Sequence, residues 1–134
     1  MAKTQKQAVG KLGEDIAVNF LKKNGYTVKG RNLLFSPYEL DIVVEDKEYV
    51  VFVEVKTRTY FSPDHTSNFG SPGKAVTAKK RNNTIKAAKA YISEKHPRKQ
   101  PRIDVIEVFL SNDPSKHAEI NHVISAFDVR GNKR

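Results

Sequence analysis

The chain has 134 residues, with 24 Lys and Arg against 15 Asp and Glu, no Cys, and a net charge of +9. This length supports one hydrophobic core, so we expect a single domain over residues 1–134, and the 38% hydrophobic and 29% charged residues are typical of a globular protein. The lack of Cys excludes a disulfide scaffold and a thiolate metal site, while the absence of a long apolar run or a signal peptide leads us to expect a cytoplasmic protein without a membrane partner.

The N-terminal third predicts one helix followed by two short strands. Apolar residues recur at helical spacing from about Lys6 to Asn24, and Gly25 is suited to the position that follows a helix. The stripe consists of Leu12, Ile16, Ala17, Phe20 and Leu21. Tyr26–Val28 and Asn32–Phe35 are the two strand candidates, and the Ser36-Pro37 break ends the second.

Residues 39–56 predict a β-hairpin. Two β-branched runs, Leu40–Val44 and Tyr49–Val55, flank a charged turn, and a two-residue turn would pair Glu45 with Glu48. Asp41 would then lie opposite Phe52, and Glu54 opposite Glu39. Because side chains alternate with a period of two, one face would carry Glu39, Asp41, Glu54 and Lys56. The other would be apolar, with Leu40, Ile42, Val44, Val51, Val53 and Val55.

The second half predicts a long loop, a helix and two strands. Residues 57–73 are rich in Ser, Pro, Gly and aromatic residues and predict a flexible loop whose aromatics either stack on bases or pack on the domain. A helix follows from about Thr77 to Lys95 and is closed by Pro97 and Pro101, then strands at Ile103–Leu110 and Ile120–Phe127, and a basic tail at 128–134. This order indicates an α/β sandwich, a central mixed β-sheet flanked by helices.

Three acids at one end of a buried hairpin suggest a metal site. Two carboxylates about 4–6 Å apart repel by roughly 3–4 kcal/mol at an effective dielectric of about 20, and sheets avoid like charges in opposite positions. A hard divalent cation such as Mg²⁺ would remove this repulsion, because it prefers oxygen ligands. In the alternative, Glu39 and Glu54 extend into solvent and Lys56 neutralises one of them.

The order of motifs resembles a known family. Asp41, then Glu54-x-Lys56 on a hairpin after an N-terminal helix, is similar to the PD-(D/E)xK nuclease superfamily, and within it to the bacterial YraN-like (UPF0102) family, which is similar to archaeal Holliday junction resolvases. The resemblance covers about residues 10–127. The matching motifs are Gly10–Glu14, Arg31-Asn32, Glu39–Ile42, Val51–Lys56, Ala75–Thr77 with Lys79, and Arg102–Val105. The chain departs from the family at Tyr38, where Gly is usual, and in the longer segment 60–73.

The resemblance implies a restriction-endonuclease-like core and a set of site residues. Asp41 and Glu54, with the Val55 carbonyl, would hold Mg²⁺ or Mn²⁺, and Lys56 would position a water or stabilise charge on the phosphate. Glu39 and Glu14 would hold metal-bound water or a second ion.

Glu14 borders the apolar stripe of the first helix. Its only local ion-pair partner would be Lys11. Gly10 and Gly13 each cost a helix about 1 kcal/mol relative to Ala, which indicates a close approach by another backbone or a ligand. Glu14 is either the helix member of the acidic site or an ordinary residue at the edge of the stripe. Asp104, on a later strand, is expected to be structural or to support the second helix.

The basic charge predicts a nucleic-acid partner, with simple solubility as the alternative. The expected phosphate contacts are Lys74, Lys79, Lys80, Arg81, Lys86 and Lys89. The sequence therefore predicts a metal-dependent nuclease acting on DNA, including structured or branched DNA. A nucleic-acid-binding protein that keeps the nuclease fold without cleaving is the alternative, and the similarity to resolvases leaves a homodimer open.

Overall fold

A computed structural model describes residues 4–60, 77–113 and 115–130. These residues form two helices and five strands. In chain order they are α1 (Gln5–Lys23), β1 (Thr27–Phe35), β2 (Tyr38–Glu45), β3 (Tyr49–Tyr60), α2 (Ala78–Lys95), β4 (Gln100–Ser111) and β5 (Glu119–Phe127). Thr4 and Thr77 cap α1 and α2, because each side chain accepts a hydrogen bond from the first turn of its helix. Neither helix contains an apolar stretch long enough to span a bilayer.

The strands form one mixed sheet in the order β1-β2-β3-β4-β5. β3 and β4 are parallel, and the other neighbours are antiparallel. One apolar cluster joins α1 to one face of the sheet through residues such as Leu21, Ile42 and Val53. A second joins α2 to the opposite face through residues such as Phe52 and Tyr91. The predicted α/β class, with a mixed sheet flanked by helices, is confirmed and is compatible with a restriction-endonuclease-like core.

The hairpin is confirmed, but its predicted register is wrong by two residues. Glu45 pairs with Val50 rather than Glu48, because four residues, Asp46–Tyr49, lie between the paired positions instead of two. The Asp46 carboxylate accepts hydrogen bonds from the backbone N–H groups of Glu48 and Tyr49 at 2.8 and 2.7 Å, and this side-chain cap favours the longer turn. A shift of two residues leaves every paired side chain on its predicted face.

Leu40 breaks the predicted alternation along β2. It packs in the cluster beneath α2, whereas Ile42, two residues later, packs in the cluster beneath α1. The pairing of β2 with β3 ends at Ile42 and Val53, so only β1 guides β2 beyond this point. The wholly apolar face predicted for Leu40 together with Ile42 is therefore wrong at Leu40.

Several other boundaries differ from the prediction. The two predicted short strands are one continuous strand, β1. A register shift between Val28 and Gly30 interrupts the alternation of side chains, so the sequence shows no single period of two along β1. β3 continues to Tyr60, so residues 57–60 of the predicted loop are strand and residues 61–73 lie outside the described part of the chain. Pro101 lies within β4 and does not close α2, which ends at Lys95. Of the predicted basic tail, residues 131–134 also lie outside the described part.

Asp104 belongs to a buried polar network between β4 and β5. It accepts two hydrogen bonds from Arg102, both at 2.9 Å, and one from the backbone N–H of Ser125 at 3.0 Å. His122 Nε2 lies 2.7 Å from its carboxylate. Burial opposes ionisation of Asp104, but these partners outweigh it and lower its pKa. The predicted structural role is confirmed, although Asp104 joins β4 to β5 instead of supporting the second helix.

Candidate active site

The site lies where β2 separates from β3. Pairing between them ends at Ile42 and Val53, while β3 continues along β4 as far as Ser111. Asp41 occupies the gap, and its Oδ2 accepts a hydrogen bond from the backbone N–H of Val55 at 3.0 Å. In an extended strand the N–H and C=O of one residue point to the same side, so the Val55 carbonyl also faces this gap.

Glu54 is buried beside Asp41 under the first turns of α2. Its side chain is only 7% exposed. Glu54 Oε1 lies 3.1 Å from Lys80 Nζ, and Oε2 lies 3.2 Å from the Thr84 hydroxyl. Burial and the charge of Asp41 raise the pKa of Glu54 to about 7, against the opposing effects of Lys80 and Thr84. The surroundings of Glu54 therefore oppose its ionisation at neutral pH even with Lys80 beside it, and a further cation would favour the charged form.

These groups line a solvent-open cavity of about 500 Å³. Its lining is Val9, Gly10, Glu14, Asp41, Glu54, Val55, Lys56, Thr57, Thr77 and Lys80. Lys56 is exposed on β3, two residues after Glu54. The cavity thus brings Asp41, Glu54, Val55 and Lys56, all predicted from the sequence, to one place.

Gly13 and Gly10 of α1 differ in whether the structure has room for a side chain. A Cβ atom at Gly13 would lie 1.8 Å from Thr57 Oγ1, so the absence of a side chain lets α1 lie directly against β3. A Cβ atom at Gly10 would meet nothing within 4 Å. The expected close approach is confirmed for Gly13, where the neighbour is the Thr57 side chain, whereas Gly10 has no close protein neighbour and borders the open cavity.

Glu14 reaches the cavity from α1. Its Oε1 lies 3.7 Å from an Arg31 guanidinium nitrogen, whereas Lys11, the only local option for an ion pair, contacts Asp15 at 3.3 Å. Burial and the charge of Asp41 raise the pKa of Glu14. Glu14 is thus electrostatically coupled to the acidic pair.

Glu39 lies in an adjoining recess rather than in the cavity lining. This recess is lined by Gln7, Gly10, Lys11, Glu14, Arg31, Asn32 and Glu39. The charge of Glu39 still contributes to raising the pKa values of Glu14 and Lys80. Glu39 therefore acts on the cavity at longer range than the hairpin register predicts.

The oxygen groups of the cavity fit a hard divalent cation. Within residues 4–60, 77–113 and 115–130, no three His, Cys, Asp or Glu side chains converge closely enough to form a metal site by themselves. Asp41 and Glu54 with the Val55 carbonyl make a smaller set, which suits Mg²⁺ because this ion commonly takes one or two carboxylates and completes its shell with water and substrate phosphate. Lys80 already places one positive charge against Glu54.

The helix α2 carries basic residues on two different faces. Lys79, Lys86 and Lys89 are exposed, and at 3.6 residues per turn they form one stripe, the α2 stripe. Arg81 lies on another face, with its guanidinium 5.9 Å from the centre of the Phe127 ring. Lys74 lies outside the described residues. Of the six predicted phosphate contacts, the structure therefore groups three on one surface and places Lys80 in the cavity.

The sequence interpretation missed the pairing of Lys80 with Glu54 and the contact from Thr84. Positions four apart share a helix face, so Lys80 and Thr84 could have been placed on one side of α2. Nothing local in the sequence indicates that this side faces Glu54, because the approach depends on how α2 crosses the sheet. The pairing of Arg31 with Glu14 is likewise a contact between distant elements.

Comparison with known proteins gives consistent matches along the chain. Residues 13–108 match the model of a family described as Uncharacterised protein family UPF0102. A UPF0102 protein of Caldanaerobacter subterraneus subsp. tengcongensis is 38% identical over 128 residues, which cover 95% of this chain and 100% of the relative. A second, of Syntrophotalea carbinolica, is 41% identical over 95% of this chain and 97% of its own length. A third, of Clostridium botulinum, is 37% identical over 90% and 94%.

Proposed function

The chain belongs to uncharacterised protein family UPF0102, and from the geometry of its acidic cavity we propose that it is a divalent-metal-dependent nuclease that hydrolyses phosphodiester bonds in DNA. One observation carries the proposal. Asp41 and Glu54 meet at the fork between β2 and β3, in the same open cavity as Lys56. This is the arrangement that the Asp41, Glu54-x-Lys56 pattern implies for a PD-(D/E)xK nuclease.

Asp41 and Glu54 would hold the cation, together with the Val55 carbonyl. A divalent cation bound there supplies an activated water and neutralises charge that develops on the phosphate. Asp41 is fixed by the Val55 N–H, and Glu54 is fixed by Thr84 and by its burial. The rigid strands thus hold both carboxylates in place before substrate arrives, which lowers the reorganisation needed during the reaction.

Lys56 would act on the phosphate itself. Its exposed side chain lines the same cavity, so its ammonium can reach a phosphate placed against Asp41 and Glu54. A lysine point charge stabilises negative charge on phosphate oxygens, and it can orient the attacking water. Glu14 would hold a proton or a water at the α1 side of the cavity, consistent with its raised pKa.

The α2 stripe would hold the DNA backbone. Exposed lysines bind phosphates without reading sequence, so we expect weak sequence preference. The alternative, a protein that binds DNA without cutting it, does not account for the acids: a buried carboxylate beside Asp41 would repel phosphate and contribute nothing to binding.

A cleavage assay tests the proposal. Wild-type protein is incubated with labelled single-stranded DNA, duplex, flap, four-way junction and duplex RNA, each with Mg²⁺, Mn²⁺ or EDTA. We expect metal-dependent cutting of at least one DNA substrate, which Glu54→Gln abolishes. Glu48→Gln, the same substitution at an exposed turn residue of the hairpin, should retain full activity. Equal cutting by all three proteins, or none by any of them, would contradict the proposal.

A further inference from the structure

Lys80 is held within the acidic cavity, unlike the lysines of the α2 stripe. Its Nζ lies 3.1 Å from Glu54 Oε1, although its side chain is 45% exposed. Burial would lower the pKa of Lys80, but the charges of Glu54, Asp41 and Glu39 outweigh it and raise the pKa. Lys80 is therefore a fully charged cation at the position where Glu54 most needs one.

One divalent ion would balance the charges of Asp41 and Glu54. Asp41 and Glu54 carry two negative charges when both are ionised, and Arg31 lies 3.7 Å from Glu14 and 2.7 Å from Asp15. A divalent cation held by Asp41 and Glu54 would neutralise them without help, and Lys80, 3.1 Å from Glu54, would then be a surplus positive charge in the same cavity. Like charges at short range repel each other, so the bound cation would weaken the attraction between Glu54 and Lys80.

Lys80 has room to leave. Its residue lies in the first turn of α2, and the cavity that it lines is open to solvent. A lysine ammonium on a flexible four-carbon stem can change position while the helix backbone stays in place. The Thr84 hydroxyl, 3.2 Å from Glu54 Oε2, would still be available to Glu54 when the Lys80 side chain moves.

We propose that Lys80 is an exchangeable cation, which neutralises Glu54 in the metal-free protein and binds a DNA phosphate once a divalent cation occupies the site. This rests on the proposed function, because it requires a metal at Asp41 and Glu54. It makes Lys80 a phosphate contact that exists only in the metal-loaded protein. Metal and DNA would then favour each other's binding, since the metal releases a positive charge to the substrate.

DNA binding with and without metal tests this exchange. The dissociation constant of a fluorescein-labelled DNA duplex is measured against salt concentration, in EDTA and in Ca²⁺, for wild type, Lys80→Met and Lys79→Met. Lys79 is the matched control, because it is the adjacent lysine on the same turn but lies on the exposed stripe. Lys80→Gln provides a second variant, and thermal melting checks that each variant is folded.

The two lysines should differ in one measurable way. Lys80→Met should leave the salt slope unchanged in EDTA and flatten it by about 0.9 in Ca²⁺, as expected when one lysine–phosphate interaction is removed. Lys79→Met should flatten the slope by about 0.9 in both conditions. If Lys80→Met and Lys80→Gln flatten both slopes equally, or neither slope, the exchange is wrong.

Metal binding separates this failure from failure of the proposed function. Ca²⁺ and Mn²⁺ should raise the melting temperature of wild type, and Asp41→Asn should remove that rise. If the rise disappears in Asp41→Asn and Lys80→Met still behaves like Lys79→Met, only the exchange is refuted. If wild type shows no rise, or Asp41→Asn keeps it, both the exchange and the metal site are refuted.

Discussion

The Asp41 carboxylate accepts a hydrogen bond from the backbone N–H of Val55 at 3.0 Å, across the gap where β2 leaves β3. A side chain thus replaces the strand partner that Val55 would have in a continued hairpin. This hydrogen bond satisfies a backbone donor that β2 no longer reaches, and it fixes Asp41 beside Glu54. The fork in the hairpin is therefore what makes an acidic site out of two neighbouring strands.

The raised pKa of Glu54 predicts a specific pH dependence of stability. Its folded pKa of about 7 lies above the ordinary value of 4.5, so the folded state binds this proton more tightly than the unfolded state. Its contribution to the free energy of unfolding is full below about pH 4.5 and declines as the pH rises through about 7, by roughly 1.4 kcal/mol per unit of pKa difference. Urea denaturation of metal-free wild type and Glu54→Gln should show a steeper decline in wild type, because Glu14, whose pKa is also raised, is present in both proteins. Parallel pH profiles would contradict it.

Asp41→Asn should stabilise the metal-free protein and remove its response to metal. The substitution removes repulsion of Glu54 while an amide oxygen can still accept the Val55 N–H. In wild type, a metal that binds only the native state should raise the melting temperature with concentration. Asp15→Asn, at an acid of α1 that pairs with Lys11 and Arg31, is the control and should keep the full metal response. A destabilised Asp41→Asn protein with an intact metal response would make Asp41 a structural residue.

The two glycines of α1 should respond oppositely to alanine. Gly10→Ala meets open space and should stabilise the helix by up to about 1 kcal/mol. Gly13→Ala places a methyl group 1.8 Å from Thr57 Oγ1, so α1 or β3 must move and the protein should lose more stability than the helix gains. Urea denaturation of both variants measures the difference. Equal effects at the two positions would show that α1 does not lie directly against Thr57.

The sequence predicts the helices and strands better than it predicts the hairpin turn and the pairing between strands. Hydrophobic periodicity locates α1, α2, β4 and β5. The register of the hairpin is wrong by an even number of residues, so each paired side chain still lies on the face that the sequence predicts. The turn length depends on the Asp46 side-chain cap, and the position of Leu40 depends on where β2 leaves β3. Both are set by interactions that periodicity does not encode.

The site was predictable to the same extent. Asp41, Glu54 and Lys56 follow from motif and strand alternation, whereas Lys80, Thr84 and Arg31 approach from other elements. Interactions between distant elements depend on the angle at which helices cross the sheet, and a single sequence carries no local signal for that angle.

The α2 stripe should account for much of the salt dependence of DNA binding. Replacing Lys79, Lys86 and Lys89 together with Gln should flatten the log–log salt slope by up to about 0.9 for each lysine that binds a phosphate in wild type. The same replacement at Lys22, Lys23 and Lys29 removes equal charge from other exposed positions and should change the slope little. Equal slopes for the two triple variants, measured by fluorescence anisotropy, would place the DNA surface elsewhere.

The most direct measurement is single-turnover cleavage by Lys56→Ala beside its DNA affinity, on the DNA structure that wild type cuts fastest. Lys56 is exposed and contributes one charge among many, so the variant should fold and bind DNA within severalfold of wild type. Its cleavage rate should fall by at least about a hundredfold, because the ammonium stabilises negative charge that develops on the phosphate during the reaction. Cleavage by Lys56→Ala at the wild-type rate, from protein purified free of other nucleases, would contradict the assignment of this cavity as a nuclease active site.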